Sequence, residues 1–282
     1  MDEPLPFDPA SPADVALYDE LTLWSALAGE LLLEHVTFAG ARRVLDLGCG
    51  AGFPLLELAE RLGRSAFVAG LDPWAEALRR ARARVVRWSA GNAAVVRGDG
   101  GAMPFRDGAF DLVVSNLGVN NFDDPGAALA ECHRVLAPGG ILGLSSNLVG
   151  HMRELHSAFE RVLAAAGDRA ALDRLRRHVA YRATVASLGA SLASAGLRVT
   201  AVREREAVLR FANAEALFAH HFIRFGFRPA WEEIAGPDAL AALRAELDRI
   251  AAADGGLRLT IPLAYVEARH HVTAGDRGTF RG

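Results

Sequence analysis

The stretch Val44-Leu45-Asp46-Leu47-Gly48-Cys49-Gly50-Ala51-Gly52 decides the fold of this 282-residue chain. Its first four residues form a short apolar run of the kind that serves as a buried parallel strand. Glycine then recurs at every second position, and Phe53 to Leu62 continues as a helix-like run. Glycine reaches positive φ and lets the backbone approach a ligand with no Cβ in the way. The unpaired N–H groups at a helix start face whatever binds there. A strand, a glycine turn and a helix therefore predict a nucleotide-type cradle, although the same letters can also make a tight turn with no ligand. A dinucleotide fingerprint would place its third glycine at position 53. Phe53 stands there, so that fingerprint fails.

Outward from this stretch, composition bounds the rest. The chain is 51% hydrophobic with a formal net charge of −3, enough for one large domain or one domain with a substantial insertion. No apolar run approaches the roughly 18 residues that span a bilayer. Met1 to Pro12 is acidic and proline-rich without a basic leader, so it does not read as a signal peptide. Two cysteines, Cys49 and Cys132, cannot form a disulfide framework, and a reducing cytoplasm is expected. The near-neutral charge disfavours nucleic acid as a partner.

Three further strands end on polar residues. Ala66 to Leu71 runs into Asp72, 20 residues beyond Gly52, where a carboxylate can accept both hydroxyls of a ribose or cap a helix. Pro73 is expected at the first helical position, with the Trp74 indole able to stack on a base. The following helix, Trp74 to Trp88, carries five arginines and reads as a solvated face. Ala93 to Arg97 leads into Asp99-Gly100, which is also a plain turn signal. Phe110 to Asn116 is followed by Leu117-Gly118-Val119-Asn120-Asn121-Phe122, a helix from Asp123-Asp124, and a Pro138-Gly139-Gly140 turn into a strand over Ile141–Ser146.

Val44–Gly52 is similar, almost letter for letter, to the first motif of class I S-adenosylmethionine (SAM)-dependent methyltransferases. Arg134-Val135-Leu136-Ala137-Pro138-Gly139-Gly140 resembles a later hallmark, and the resemblance runs continuously from Val44 to Asn147. It implies an α/β, Rossmann-like fold with a seven-stranded, mostly parallel sheet. It also implies SAM as cofactor, held by Asp46, Gly48, Cys49, Gly50, Gly52, Asp72, Pro73 and Trp74. Asp99 would meet the adenine amino group and the Gly100 N–H the ring beside it, with Asn116 and Leu117 closing the fourth strand.

Outside that span the expectations are coarser. Residues 1–40 should form an arm and a lid helix, the helix running from Pro12 to about His35 with Leu17, Leu21, Trp24, Ala28, Leu31 and His35 on one stripe. Residues 41–282 should form the methyltransferase domain, with helical insertions at about 150–195 and 207–256 after strands five and six. Helices are expected over Gly150–Ala166, Ala170–Ala195, Asn213–Phe225 and Pro237–Ala253. Strands are expected over Leu197–Arg203 and Leu257–Arg269, and the glycine-rich tail from Thr273 is expected to fray.

Transfer of a methyl group from a sulfonium is an in-line displacement, so the protein chiefly aligns the reactants and excludes water. A base is needed only when the acceptor must lose a proton. The base candidates are His151, His156, His178, Tyr181, His220 and His221; His221 shares a stripe with Leu217 and Phe225, where the plainer reading is a core histidine bonded to backbone. Trp24, Asn120, Asn121, Phe218 and Phe222 are the candidate acceptor contacts, and the insertions' aromatics could close an apolar chamber over the methyl donor. No metal ligand set is legible. Gly118–Phe122 loosely resembles the Gly-Leu-Arg-Asn segment of ubiquinone/menaquinone C-methyltransferases, but Asn120 stands where those enzymes carry arginine. Two cysteines cannot hold arsenic as arsenite methyltransferases do. The expected activity is methylation of a small apolar or aromatic metabolite. The alternatives are a SAM-binding protein without catalysis and a nicotinamide oxidoreductase, the latter disfavoured by Phe53 and the Asp99 motif.

Overall fold

The computed structural model describes residues 7–20 and 23–270; the tail from Thr273 and Leu21 of the expected stripe lie outside the described residues. In chain order the elements are α1 (Pro12–Glu20), α2 (Leu23–His35), β1 (Arg43–Leu47), α3 (Leu55–Leu62), β2 (Phe67–Asp72), α4 (Ala75–Arg87), β3 (Ala93–Arg97), β4 (Phe110–Asn116) and α5 (Pro125–Val135). They continue as β5 (Leu136–Asn147), α6 (Arg153–Ala165), α7 (Arg169–Ala180), α8 (Val185–Ser194), β6 (Leu197–Phe211), α9 (Ala214–Ala219), α10 (His221–Gly226), α11 (Arg228–Asp254) and β7 (Leu257–His270). They group into two compact units.

The first unit comprises Thr22–Ser146, Thr184–Arg205 and the chain from Ala264. The seven strands lie in the order β3-β2-β1-β4-β5-β7-β6. β1 is parallel to both β2 and β4, and β3 and β5 continue the parallel pairing outward. Val44, Leu45, Val68, Leu112, Val113 and Val114 are all buried, as a sheet covered on both faces requires. From β1 the chain moves outward through β2 to β3, then returns to β1's other side as β4. That reversal opens a crevice at the carboxyl ends of β1 and β4, the place where open α/β sheets bind ligands. The expected Pro138–Gly140 turn lies inside β5, where the register against β4 slips between Phe110 and Leu112.

The second unit comprises the chain up to Leu21, Asn147–Ala183 and Glu206–Leu263. Its core is built from Leu155, Phe159 and Leu163 of α6, Leu175 of α7, Leu217 and Phe218 of α9, and Trp231, Leu243 and Leu247 of α11. Glu154 ties α6 to β7, accepting from the Thr260 N–H at 2.8 Å and its hydroxyl at 2.5 Å.

Several element boundaries differ from the sequence expectation. Pro12–His35 is described as two helices, with 21 and 22 outside the described residues, and Leu17 is exposed rather than on a buried stripe. The run Ala170–Ala195 is two helices, because Thr184 and Ser187 form a reciprocal capping box that starts α8 afresh. Asn213 does cap α9, its side chain accepting from the Ala216 N–H at 2.8 Å. That helix stops at Ala219, since His220 takes extended backbone with ψ of 125°, and α10 starts at His221. α11 is two helical segments joined at Gly236, which adopts φ of 72°: the expected helix from Pro237 is the second, and a first segment from Arg228 precedes it. β6 runs on to Phe211, well past Arg203.

Candidate functional site

The glycine turn sits at the crevice. The N–H groups of Gly48 and Cys49 both donate to the Leu71 carbonyl, at 2.8 and 3.1 Å, which bends the chain off β1 across the end of β2. Gly48, Gly50 and Gly52 all have positive φ, at 78°, 51° and 108°. A Cβ placed on Gly50 would meet no atom within 4 Å, so the turn leaves open space there. The Cys49 side chain lies on the other side, buried against Gly70 of β2, where an added Cβ would come 2.6 Å from its Sγ. Burial, reinforced by the charges of Asp46 and Asp72, holds that thiol well above its ordinary pKa. Cys49 therefore offers only its backbone to a ligand.

Asp72 closes β2 and fastens the turn. One carboxylate oxygen accepts from the Gly50 N–H and the other from the Trp74 N–H, both at 2.9 Å. Burial raises its pKa, while those two amides pull it down. The α4 helix begins at Ala75, so Pro73 precedes the first helical position instead of occupying it. Pro73 is exposed and Trp74 partly so. Arg84 of α4 reaches back to donate to the Ala51 carbonyl at 2.8 Å and braces the turn from outside.

Asp46 behaves differently from the expectation of a ligand contact. It is 0% exposed, and neither carboxylate oxygen has a hydrogen-bond partner. Burial pushes its pKa up to about 8; the Leu55 amide, near but outside hydrogen-bond geometry, offsets part of this, and the charge of Asp72 adds to it. The carboxyl lies under the turn, out of reach of a ligand. Its sequence position at a strand's end suggested contact; its packing denies it.

The other wall is the end of β4. Ser115 donates to the Leu47 carbonyl at 2.9 Å. The Asn116 amide donates to the Ser25 carbonyl of α2 at 3.0 Å and accepts from Ser145 at 2.7 Å. Leu117 adopts a left-handed backbone with φ of 60°, and its N–H bonds Ser145 of β5. Gly118 then passes so close that a Cβ would meet Ser115 Oγ at 2.6 Å and the Leu47 carbonyl oxygen at 2.8 Å. Across the crevice, Gly29 of α2 lies against Phe53; a Cβ there would sit 2.3 Å from the ring. The helix expected as a lid thus has α2 packed on the turn, with Trp24 buried. Asn120 accepts from Ser146 at 2.7 Å, and Asn121 is exposed, bonding the Leu117 carbonyl at 3.3 Å. Asp99 is exposed and accepts from the Gly101 N–H at 2.8 Å, while Gly100 is buried beside Leu47 and Phe122. Sequence reasoning missed Gly29, Arg84 and the close approach at Gly118, none of which has a local signal.

In the helical unit, Phe218 and Phe222 belong to a chain of rings. Tyr18 lies 5.4 Å from Phe222, Phe222 lies 5.7 Å from Phe227, and Trp231 stacks on Phe227 at 6.0 Å and meets Phe218 at 5.9 Å. The two expected bases fare worse. The break at His220 removes His221 from the stripe with Leu217, and its ring lies 4.6 Å from that of His220. Tyr181 sits just past the end of α7, 85% exposed, so it lacks the enclosed setting of a base. Among the described residues no group of three or more His, Cys, Asp or Glu could hold a metal ion, and no helix is long and apolar enough to cross a membrane.

A glycine turn at the strand-order reversal, with an acid closing the neighbouring strand, is the arrangement in which open α/β sheets hold a nucleotide-type ligand. Residues 45–144 match the family described as the methyltransferase domain. The chain is similar to nocamycin O-methyltransferase of Saccharothrix syringae, 32% identical over 238 residues that cover 80% of this chain and 84% of that one. It is also similar to demethylmenaquinone methyltransferase of Lactiplantibacillus plantarum, 36% identical over 111 residues, 39% of this chain and 47% of that one. Its fold matches the crystal structure of YcgJ from Bacillus subtilis with a TM-score of 0.59 at 16% identity, covering 88% of this chain and 99% of that one. The chain belongs to the SAM-dependent methyltransferase family. It is an enzyme of that class, and SAM is its cofactor.

Proposed function

We propose that the chain methylates a small, flat, largely apolar metabolite. Gly48, Gly50 and Gly52 would hold the cofactor's backbone-facing side, Asp72 its ribose hydroxyls, and Asp99 with Gly100 its adenine. The observation that carries the cofactor assignment is the open space over Gly50 beside a carboxylate already bonded to the Gly50 N–H. Each Asp72 oxygen spends one lone pair on an amide and keeps another for a hydroxyl. When bound, SAM supplies an activated methyl group, so the residues here need only bind, orient and exclude water. α2, pinned through Gly29 and Asn116, shields the turn from solvent.

The acceptor class is supported by the ring chain from Tyr18 to Trp231, and by two relatives named for nocamycin and demethylmenaquinone, one of them an O-methyltransferase. Two buried free thiols, Cys49 and Cys132, suit a reducing cytoplasm. The test is titration calorimetry with SAM, S-adenosylhomocysteine and NAD, followed by turnover on a panel of flat phenols, acids and quinones. Binding of NAD in preference to SAM, or turnover confined to polar macromolecules, refutes the reading.

A further inference from the structure

The core of the helical unit holds nitrogen atoms that lack hydrogen-bond partners. Trp231 is 0% exposed and its indole N–H, a donor that can do nothing else, has no acceptor. His156 is 6% exposed with Nδ1 enclosed and without a partner, and His178, whose ring lies 6.3 Å from it, has Nε2 in the same condition. Arg182 is half-buried with its Nε enclosed and without a partner. Among the described residues it forms no ion pair with an acid; its guanidinium instead lies 5.8 Å from the centre of the Phe227 ring. The same ring carries the stacked Trp231 on one side and a stacked His151 at 5.5 Å. Arg182 is close enough to His151, His156 and His178 to depress the basicity of all three, after burial itself.

Buried polar groups are normally bonded, and a buried cation is normally paired. Here every unmet group can donate, none is an acid, and one carries a fixed positive charge. The missing partner is therefore an acceptor, and the charge of Arg182 beside it favours an anionic one. Burial, then the charges of His178 and Arg182, bring His156 to a pKa of about 4, with the His151 carbonyl, near but outside hydrogen-bond geometry, offsetting part of this, so near neutral pH it stays uncharged and presents a neutral ring. The charge in the cluster is then that of Arg182. The rings of Phe227, Trp231, Phe222 and Phe218 adjoin it as an apolar wall, packed on one another at 29°, 58° and 72°.

We propose that Arg182, His156, His178 and the Trp231 N–H form a recognition site for the anionic group of an otherwise flat, apolar acceptor, a carboxylate or an ionised enol or phenol. The assignment rests on the reading of the chain as a small-molecule methyltransferase and narrows its substrate class.

The test uses the full chain and two probes of one shape, 1-naphthoate and its neutral amide, 1-naphthamide, in titration calorimetry at pH 7.5. The expected result is naphthoate binding roughly tenfold or more tighter than the amide, as charge-assisted hydrogen bonds give. R182M should remove that preference and leave amide affinity within about twofold, while R182K retains part of it. Equal binding of the two probes, no binding of either, or an R182M variant that keeps the preference overturns the proposal. Should R182M fail to fold, the ratio measured on the wild-type chain decides alone. SAM affinity measured on the same samples reports on the methyltransferase reading separately, because no residue of this cluster belongs to the glycine turn.

Discussion

Replacing Asp46 by asparagine gives the most direct test of the physics under the glycine turn. The folded protein holds this carboxyl fully buried, with burial pushing its pKa from an ordinary 3.8 up to about 8. Between those two values the folded chain keeps a proton that the unfolded chain has released, so folding takes up protons. Stability must then fall as pH rises from about 4 to about 8, and level off above. A gap of about four pH units, at roughly 1.4 kcal/mol each, is on the order of 5 kcal/mol at the upper limit. Asparagine has the same shape and no proton to lose. D46N and wild type should melt within a few degrees of each other at pH 5. At pH 8.5 the variant should be the more stable, by on the order of 10 °C for a chain of this size. Differential scanning fluorimetry across pH 4.5–9 reads this directly. A melting-temperature difference that does not widen between pH 5 and 8.5 means that Asp46 is solvated or partnered, and the description of the turn's underside fails.

Asp72→Ala should weaken SAM by at least ~1.5–3 kcal/mol, the scale of hydrogen bonds to a charged group, and calorimetry giving an unchanged dissociation constant refutes the ribose role. Gly50→Ala and Gly118→Ala should separate binding from folding. The Gly50 Cβ enters open space at a φ of 51°, so the variant should fold at a cost of about 1 kcal/mol yet bind SAM roughly tenfold or more weakly. The Gly118 Cβ would collide with Ser115 and the Leu47 carbonyl, so that variant should lose about 1–3 kcal/mol of stability in denaturant melts. Tyr181→Phe should leave turnover within about twofold on any acceptor found, since the ring is 85% exposed; a larger loss restores Tyr181 as a base.

The turn around Gly50, the strand that precedes it and the acid at Asp72 were legible in the sequence because their demands are local. A buried strand needs an apolar run, a left-handed turn needs glycine, and the next strand's end needs a polar residue, and all three lie within 29 residues, Val44 to Asp72. The seven-stranded sheet was implied by the family resemblance rather than by repetition of that unit. Other features depended on residues far apart in the chain meeting in space. Gly29 meets Phe53, Gly118 meets Gly48 and the Leu47 carbonyl, and Arg84 finds the Ala51 carbonyl, none at a spacing that a helix or strand period encodes. Asp46 reads in sequence as a strand-end acid facing a ligand, and only packing shows it enclosed. His221 looked aligned with Leu217 because a four-residue spacing assumes an unbroken helix; the extended backbone at His220 breaks it. Arg182 reads as one more arginine among 31. That its enclosed Nε finds no partner among the described residues is a property of what surrounds it, and only the tertiary structure supplies those surroundings.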